Sequence, residues 1–445
     1  MIICPYFKDK VVYIVGLGIT GNSAVNCMLQ SHAKVIAWDD KPDNVSHAQA
    51  SFPAASFKRP EELDWNHIDF IIMSPGIPSD NKAFLFARQH NVQIISDLDI
   101  LFLAQPDATY IGITGTNGKS TTTALIGHIL QSSGKQVQVG GNIGTPSLAL
   151  TPLSKGGFYV LEVSSFQLDL LAFMKFNVAV LLNLTPDHLD RHGNMQAYIN
   201  AKAQIFRKQN SQDDAILSID YPEMQPLFEN LKAHTTIISA ANAADITIKN
   251  RILHDNINSL QFDFNEMQTL PGKHNEENIA AAYSTCIKVG ISPDVAVAAI
   301  KTFQGLRHRI EMVSKYNGLV FINDSKATNA DAAEKALLCY EDIIWILGGI
   351  PKAGGITSLA KHFGRVKKAF LYGQASAEFA STLQAANCAY VECKTLESAL
   401  RAIKSSGLKG VVLFSPACAS FDQFKNFEHR GDEFCRLVKE LFIGS

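Results

Sequence analysis

The fold is decided by the segment Tyr110-Ile111-Gly112-Ile113-Thr114-Gly115-Thr116-Asn117-Gly118-Lys119-Ser120-Thr121-Thr122-Thr123. Apolar β-formers lead into a glycine-rich turn, and a predicted helix follows from Ala124. This order is typical of a phosphate-binding loop, in which backbone amides, a helix N-terminus and a lysine surround a phosphate. The strict motif places a glycine at position 113, where the chain has isoleucine. A glycine turn with a capped helix is the structural alternative, but the flanking strand and helix favour phosphate binding.

Length and composition indicate a large globular protein. At roughly 150 residues a domain, 445 residues predict about three domains. The net charge of -2 does not support nucleic acid as the partner. Eight cysteines without a C-x-x-C pair predict reduced thiols rather than disulfides or a zinc site. No apolar run approaches the ~20 residues of a membrane span, and early charges argue against a signal peptide. We therefore expect a soluble, cytoplasmic protein without a membrane partner.

The N-terminal part carries a second glycine motif. A predicted strand, 11–15, runs into Gly16-Leu17-Gly18-Ile19-Thr20-Gly21, and the next strand ends in Asp39-Asp40-Lys41. This spacing is typical of a Rossmann fingerprint with its ribose-binding acid. A third strand leads into the loop 74–78, at the edge where such sheets bind ligands. The motif predicts a nucleotide or dinucleotide; a tight turn without a ligand is the alternative.

Three polar residues after the phosphate-binding loop are of interest, and two of them have two interpretations each. Glu162 ends an apolar strand, so it is either a Mg²⁺ ligand or an acid at a solvent-facing strand end. His188 is either a metal ligand or an exposed loop histidine, and its own surroundings favour the loop. Lys202 lies on a helical stretch, where a solvated lysine is the ordinary expectation.

The C-terminal part repeats the alternation of strands and helices, with strands predicted at 319–323, 342–347, 367–372 and 409–414. Such alternation predicts a parallel, doubly wound sheet. A dehydrogenase would leave the phosphate-binding loop unused, and a simple NTPase would leave the first motif unused. An ATP-dependent enzyme whose substrate carries a nucleotide uses both.

Further motifs are Gly141-Asn142-Ile143-Gly144, Glu162-Val163-Ser164-Ser165-Phe166-Gln167, Asp187-His188-Leu189-Asp190, His308-Arg309 and Asn323-Asp324-Ser325-Lys326-Ala327-Thr328-Asn329. With the phosphate-binding loop they resemble the Mur ligases of peptidoglycan synthesis, almost from end to end of the chain. The displaced glycine is that family's own form of the loop. The run 415–431 resembles the D-glutamate-adding members, and the Asp-Asn-Pro-Arg motif expected of the diaminopimelate- or lysine-adding members is absent.

The resemblance implies three α/β domains. A Rossmann-like domain at 1–96 would bind the UDP substrate, and a P-loop domain at 97–305 with a mostly parallel sheet would bind ATP. A Rossmann-like domain at 306–445 would bind D-glutamate and close over ATP. The implied reaction adds D-glutamate to UDP-N-acetylmuramoyl-L-alanine through an acyl phosphate, releasing ADP and phosphate. It would serve cell wall synthesis, shape and division, in a cytoplasmic monomer. A sibling Mur ligase or folylpolyglutamate synthetase-like enzyme is one alternative, and a nicotinamide-dependent dehydrogenase is another.

The resemblance also implies residue roles. Catalysis is expected from Lys119, His188, Lys202 and Lys326. ATP is expected at Gly115, Thr116, Asn117, Gly118, Lys119, Ser120, Thr121, Asn275, Asn278, Arg309 and Asp324. Two Mg²⁺ ions are expected on Ser120, Glu162, His188 and Lys202, the last as a carbamate. The UDP substrate is expected at Ile19, Thr20, Asp40, Lys41, Gly76, Asn142 and His188, and D-glutamate at Thr328, Lys352, Ser420 and Phe427. Asp40 and Lys41 depart from the family's threonine and arginine, which leaves the uracil contacts open.

Overall fold

The computed structural model describes residues 2–78, 80–229, 231–267 and 269–444. Within these residues the chain forms three mostly parallel β-sheets with helices packed on them, and the predicted α/β class is confirmed. The chain divides into two compact units. Unit 1 contains Met1–Asn265 and Glu276–Thr302, and unit 2 contains Glu266–Asn275 and Phe303–Ser445.

The first sheet, in unit 1, is parallel, and its strands lie in the order β3-β2-β1-β4-β5. The strands are β1 (Val11–Val15), β2 (Lys34–Trp38), β3 (Ser56–Phe57), β4 (Phe70–Met73) and β5 (Gln93–Ile95). The helices are α1 (Ile19–Gln30), α2 (Pro42–Ser51), α3 (Lys82–Gln89) and α4 (Asp97–Ala104). The strand order reverses between β1 and β4, so the loops after these two strands border the crevice where such sheets bind ligands.

The second sheet, also in unit 1, has the order β14-β13-β12-β11-β10-β9-β6-β8-β7. Its strands are β6 (Thr109–Thr114), β7 (Val137–Gly141), β8 (Phe158–Glu162), β9 (Val178–Leu181), β10 (Asp214–Ser218), β11 (His234–Ser239), β12 (Ile246–Lys249), β13 (Ile252–Asp255) and β14 (Leu260–Asp263). Strands β12 to β14 pair antiparallel and the others parallel. Since β6 lies between β8 and β9, the carboxyl ends of these three strands meet at one edge.

The helices that accompany the second sheet are α5 (Lys119–Ser132), α6 (Ser165–Leu168), α7 (Leu189–His192), α8 (Met195–Ala203), α9 (Gln225–Phe228), α10 (His274–Lys288) and α11 (Pro293–Thr302). Helix α5 starts directly after the phosphate-binding loop, as predicted. The loop therefore has the strand before it and the helix behind it that phosphate binding needs.

The third sheet, in unit 2, has the order β15-β16-β20-β17-β18-β19. Its strands are β15 (Glu311–Tyr316), β16 (Leu319–Asn323), β17 (Ile343–Gly348), β18 (Val366–Tyr372), β19 (Tyr390–Glu392) and β20 (Gly410–Phe414). The helices are α12 (Ala330–Leu337), α13 (Ser376–Ala385), α14 (Leu396–Ser406) and α15 (Phe427–Val438). Edge strand β15 pairs antiparallel with β16. Their turn is Asn317-Gly318, with φ of 45° and 78°, the positive values that tight hairpins require.

Each unit has its own apolar interior, to which the central strands contribute fully buried side chains such as Ile14, Ile113 and Trp345. The eight cysteines are free thiols, five of them buried and three half-buried. Among the described residues, no helix combines the length and apolar character needed to cross a membrane.

Candidate active site

The phosphate-binding loop is shaped by two glycines. Gly115 has φ of 150° and Gly118 has φ of 83°, and Gly118 caps helix α5 in the left-handed conformation. A Cβ atom at position 118 would lie 2.2 Å from Oδ1 of Asn278. The Nζ atom of Lys119 donates hydrogen bonds of 2.9 Å to the carbonyl oxygens of Gly115 and Thr116. The loop thus curls around its own lysine, the geometry expected of a phosphate cradle.

Asn183, just past strand β9, holds this loop in place. Its Oδ1 accepts from the backbone N–H of Asn117 at 2.7 Å, and its Nδ2 donates to the carbonyl of Asn117 at 3.1 Å. Nδ2 also donates to Oε2 of Glu277 at 3.0 Å. The sequence motifs predict no role for Asn183 or Glu277. The sequence offered one indication for Asn183, which is that a polar residue follows directly after a fully apolar strand.

Lys202 is buried, with 2% of its surface exposed, so the expectation of a solvated lysine was wrong. Its Nζ donates to the carbonyl of Gly115 at 2.9 Å and lies 4.8 Å from the ring centroid of Tyr198. The Tyr198 hydroxyl and Thr116 Oγ1 are 3.1 Å apart. Burial, and secondarily the charge of Lys119, lowers the pKa of Lys202 to about 7. A large share of its amine is therefore neutral near pH 7.

Glu162 is also buried, at 3% exposure, which excludes the alternative of a solvent-facing acid. Its Oε1 accepts from Nδ2 of Asn142 at 2.8 Å. Its Oε2 has no hydrogen-bond partner within the described structure. A buried carboxylate oxygen of this kind fits a bound cation. No group of three or more His, Cys, Asp and Glu side chains suited to a metal occurs in the described ranges.

His188 starts helix α7 with φ of 52° and exposes about half of its side chain (51%). Its Nε2 lies 3.5 Å from Oδ2 of Asp187, and its ring lies 5.0 Å from that of Phe166. His188 therefore lies outside the core, and its role as a metal ligand stays a prediction. The ring remains accessible to a ligand.

Two acids, Asp39 and Asp40, follow strand β2, and their surroundings differ. Asp39 is buried, and its carboxylate accepts from the backbone N–H groups of Leu17 at 2.6 Å and Lys41 at 2.8 Å. With a third hydrogen bond from Nδ2 of Asn44 at 3.0 Å, Asp39 holds the glycine turn in place. Asp40 is exposed, and its Oδ2 accepts from Nδ2 of Asn81 at 3.2 Å. Of the two acids, Asp40 is the one a ligand can reach.

The other predicted residues for the UDP substrate border the crevice of the first sheet or the edge of the second. Ile19 is 79% exposed, although it is apolar, and Thr20 beside it is half-buried. Lys41, Gly76 and Asn142 are exposed. An exposed isoleucine at the start of a helix is suited to an apolar contact with a ligand.

In unit 2, Asp324 follows strand β16 and Ser415 follows the neighbouring strand β20. Ser415 Oγ donates to Oδ2 of Asp324 at 2.7 Å, and the backbone N–H of Ile310 donates to Oδ1 at 3.2 Å. Burial raises the pKa of Asp324 to about 7, against the opposing effects of Ser415 and Arg309. Arg309 itself is half-buried.

The predicted D-glutamate residues also lie in unit 2. Ser420 is buried, Thr328 and Phe427 are half-buried, and Lys352 is exposed. Nζ of Lys326 lies 5.8 Å from the ring centroid of Phe427. Asn275, at the start of α10, donates from Nδ2 to the carbonyl of Pro271 at 2.6 Å.

Arg430 was not predicted, yet it is fully buried and organises this part of unit 2. Its guanidinium donates to the carbonyl of Ser325 at 2.7 Å, to Ser325 Oγ at 3.0 Å and to the carbonyl of Cys418 at 3.0 Å. Two segments of the sequence motifs, 323–329 and 415–431, are thereby joined. Arg430 lies at helical spacing from the buried Phe434 and Val438 of α15, so the apolar periodicity of this helix is the signal that could have indicated its burial.

Three families match successive parts of the chain. The Mur ligase MurD-like N-terminal domain matches residues 10–96, the Mur ligase middle domain matches residues 113–286, and the Mur ligase glutamate ligase domain matches residues 308–418. The middle-domain match contains the phosphate-binding loop, Glu162, His188 and Lys202.

Relatives similar over their full length carry one name. The chain is 42% identical over 459 residues to the UDP-N-acetylmuramoylalanine–D-glutamate ligase of Paramagnetospirillum magneticum, covering 100% of this chain and 99% of that protein. It is 41% identical over 462 residues to the ligase of the same name from Agrobacterium fabrum, covering 99% and 97%. These relatives do not favour the dehydrogenase alternative.

Solved structures share the fold at low sequence identity. MurC of Thermotoga maritima superposes with a TM-score of 0.60 at 18% identity, covering 97% of this chain and 99% of that one. MurF of Acinetobacter baumannii gives 0.63 at 16% identity, covering 95% and 93%. The resemblance seen in the sequence motifs is confirmed by the full-length relatives, and the chain belongs to the Mur ligase family.

Proposed function

We propose that the protein is an ATP-dependent ligase that joins D-glutamate to UDP-N-acetylmuramoyl-L-alanine in the synthesis of peptidoglycan precursors. The relatives of that name support this reaction. The carrying observation is that two lysines, Lys119 and Lys202, donate to the same carbonyl oxygen, that of Gly115. Lys119 offers a cation to a phosphate chain, and Lys202 places a second, titratable amine beside it, which suits a reaction that must bring together a phosphate chain and a carboxylate.

The chemistry follows from what each substrate carries. The L-alanine carboxylate attacks the γ-phosphorus of ATP, forming an acyl phosphate and ADP. The amine of D-glutamate then attacks the acyl carbon and loses a proton, and phosphate leaves. We assign the backbone amides of 116–120 and Lys119 to the β- and γ-phosphates, and Asn278 to the adenine.

Mg²⁺ would be held by Ser120 and Glu162 at one position and by His188 at a second, and it would neutralise phosphate charge. The unpartnered Oε2 of Glu162 supports the first position. We further propose that the neutral amine of Lys202 adds CO₂ and releases a proton, so that a neutral group becomes an anionic carbamate. The lowered pKa of Lys202 favours this modification near neutral pH.

The remaining roles are divided by sheet. We assign Ile19, Thr20, Asp40, Lys41 and Gly76 to the uridine end of the substrate. Asn142 and His188 are assigned to the rest of the substrate path, with His188 near the reacting carboxylate through the Mg²⁺ it would hold. The domain boundaries proposed are 1–96, 97–305 and 306–445. In the last domain, D-glutamate is assigned to Thr328, Lys352, Ser420 and Phe427, with Lys326 near the reacting groups. Arg309 and Asp324 of that domain are assigned to ATP, and Asn275 of the 97–305 domain is assigned to the adenine beside Asn278. We propose a cytoplasmic monomer, which analytical ultracentrifugation of the purified protein can check.

Phosphate release tests the function. The protein is incubated with ATP, Mg²⁺ and UDP-N-acetylmuramoyl-L-alanine, together with D-glutamate, L-glutamate, L-lysine or diaminopimelate. We expect release that requires both the nucleotide substrate and D-glutamate. Release that is equally fast without D-glutamate, or faster with another amino acid, would refute the proposal.

A further inference from the structure

Arg191, in helix α7, links the second sheet to the first within unit 1. Its guanidinium donates hydrogen bonds to successive carbonyl oxygens in the loop after β4, to Ile77 at 2.5 Å, Gly76 at 3.4 Å and Pro75 at 3.5 Å. The loop thereby turns its carbonyl groups towards one planar side chain. Arginine suits this arrangement because its donors form a rigid fork, whereas lysine offers one point charge.

Helix α7 is itself anchored on Phe166 of helix α6. The guanidinium of Arg191 lies 5.0 Å from the Phe166 ring centroid, the His188 ring lies at 5.0 Å, and the His192 ring stacks at 5.4 Å. Nε2 of His192 and Oγ of Ser165 are also 3.0 Å apart. His188 and Arg191 therefore rest on one aromatic ring and have a fixed relation to each other.

We propose that Arg191 is a positioning residue that sets the distance between the loop 74–78 and His188. The inference rests on the proposed function, in which Gly76 contacts the uridine end and His188 the reacting end of one substrate. A ligand held at two points binds more tightly when both points are preorganised. Gly76 is exposed, and nothing lies within 4 Å of the position a Cβ atom would take, so its loop offers a surface to the ligand on that side while Arg191 holds the loop from the side of helix α7.

The test compares Arg191→Met and Arg191→Lys with a control, Arg207→Met, in the full-length protein. Methionine keeps apolar contact with Phe166 but cannot donate hydrogen bonds. Arg207 is an exposed arginine of the same unit that donates to the carbonyl of Leu171 at 3.1 Å, outside the loop 74–78. The measurements are KM for each of the three substrates, kcat, and calorimetric binding of UDP-N-acetylmuramoyl-L-alanine without ATP.

We expect Arg191→Met to raise KM and Kd for UDP-N-acetylmuramoyl-L-alanine about tenfold, with KM for ATP and D-glutamate changed less than about twofold. Arg191→Lys should lie in between, and Arg207→Met should match the wild type. An equal rise in KM for all three substrates, or an unchanged Kd for the nucleotide substrate, would show that Arg191 stabilises the fold and does not position the substrate.

The outcome also separates this inference from the proposed function. A wild-type protein that binds the nucleotide substrate but does not turn over D-glutamate refutes the function alone, and the calorimetric comparison still decides the role of Arg191. A wild-type protein that does not bind the nucleotide substrate at all overturns both.

Discussion

At the scale of single residues, burial decides the charge of the candidate site. Lys202 and Asp324 are both buried polar side chains whose charged forms are disfavoured by the loss of water. The pKa of each is near 7, so both change their protonation in the physiological range. Lys202 shifts towards the neutral amine and Asp324 towards the neutral acid.

Replacing Lys202 tests the proposed carbamate. We expect Lys202→Ala to lower kcat at least about 100-fold, since a group beside the reacting phosphate is lost. Short-chain carboxylic acids should restore part of the activity because they supply the missing carboxylate. The exposed Lys208→Ala serves as the control and should keep wild-type activity. Absence of rescue at any concentration of acetate or propionate would contradict the carbamate.

Asp324 should make the stability of unit 2 depend on pH. Its pKa is about 7 in the folded protein and ~3.9 in an unfolded chain. Between these values the folded state binds more protons, so the free energy of unfolding falls as pH rises from about 4 to 7.

Asparagine does not titrate, so Asp324→Asn should reduce the decrease in the free energy of unfolding between pH 5 and pH 7.5. The reduction should be on the order of 1 kcal/mol for each pH unit in that range below the pKa of Asp324. Urea unfolding at pH 5 and pH 7.5 measures the effect, with the exposed Asp331→Asn as the control. An identical pH dependence in wild type and Asp324→Asn would contradict the raised pKa.

At the scale of elements, the phosphate-binding loop between β6 and α5 depends on the left-handed conformation of Gly118 and on Asn278, a residue of α10. Gly118 has a positive φ and no room for a Cβ atom, because Asn278 lies against it. Asn183, just past the end of β9, holds the same loop by accepting a hydrogen bond from the backbone N–H of Asn117. The loop is thus preorganised before ATP binds.

Gly118→Ala separates backbone strain from the steric requirement of the loop. Gly134 also has a positive φ, of 73°, but nothing lies within 4 Å of a Cβ atom there. Both alanine variants should lose about 1 kcal/mol of stability from the left-handed conformation. Gly118→Ala should in addition raise KM for ATP by about tenfold or more, because the loop must move away from Asn278. Equal KM values in the two variants would show that the contact has no role in ATP binding.

At the scale of the whole molecule, the chain divides into two compact units, each with its own core. In unit 2, the buried Arg430 holds the segments after β16 and β20 together. Because these segments are ~100 residues apart in sequence, their joining fixes the fold of the unit as well as its candidate site.

Arg430→Met should therefore destabilise unit 2 in particular. It leaves the buried carbonyls of Ser325 and Cys418 without their donor, at a cost of about 3 kcal/mol. Arg436→Met, on the exposed face of the same helix, removes surface ion pairs and should cost less than about 1 kcal/mol. Hydrogen exchange should accelerate in peptides covering 324–328 and 415–420 and not in β1 to β5. Acceleration spread evenly over both units would refute this local role.

Much of the fold was predictable from local patterns. Apolar strands ending in glycine, such as 110–115 and 11–16, were assigned correctly because neighbouring residues determine both the strand and its turn. Strand β15 was not predicted. Its antiparallel pairing with β16 also could not be predicted locally, since the direction of pairing depends on which strand lies beside it. The motifs also led to the Mur ligase family, because they combine unusual residues at fixed spacings.

By itself the sequence determined the α/β class, the phosphate-binding loop and the family, since all three depend on residues close together in the chain. The tertiary structure decided the burial of Lys202 and Glu162, the use of Asp39 by its own loop, and the parts played by Asn183, Arg191 and Arg430. Burial and long-range hydrogen bonds depend on which distant segments meet, and the spacing of residues along a chain does not encode that directly.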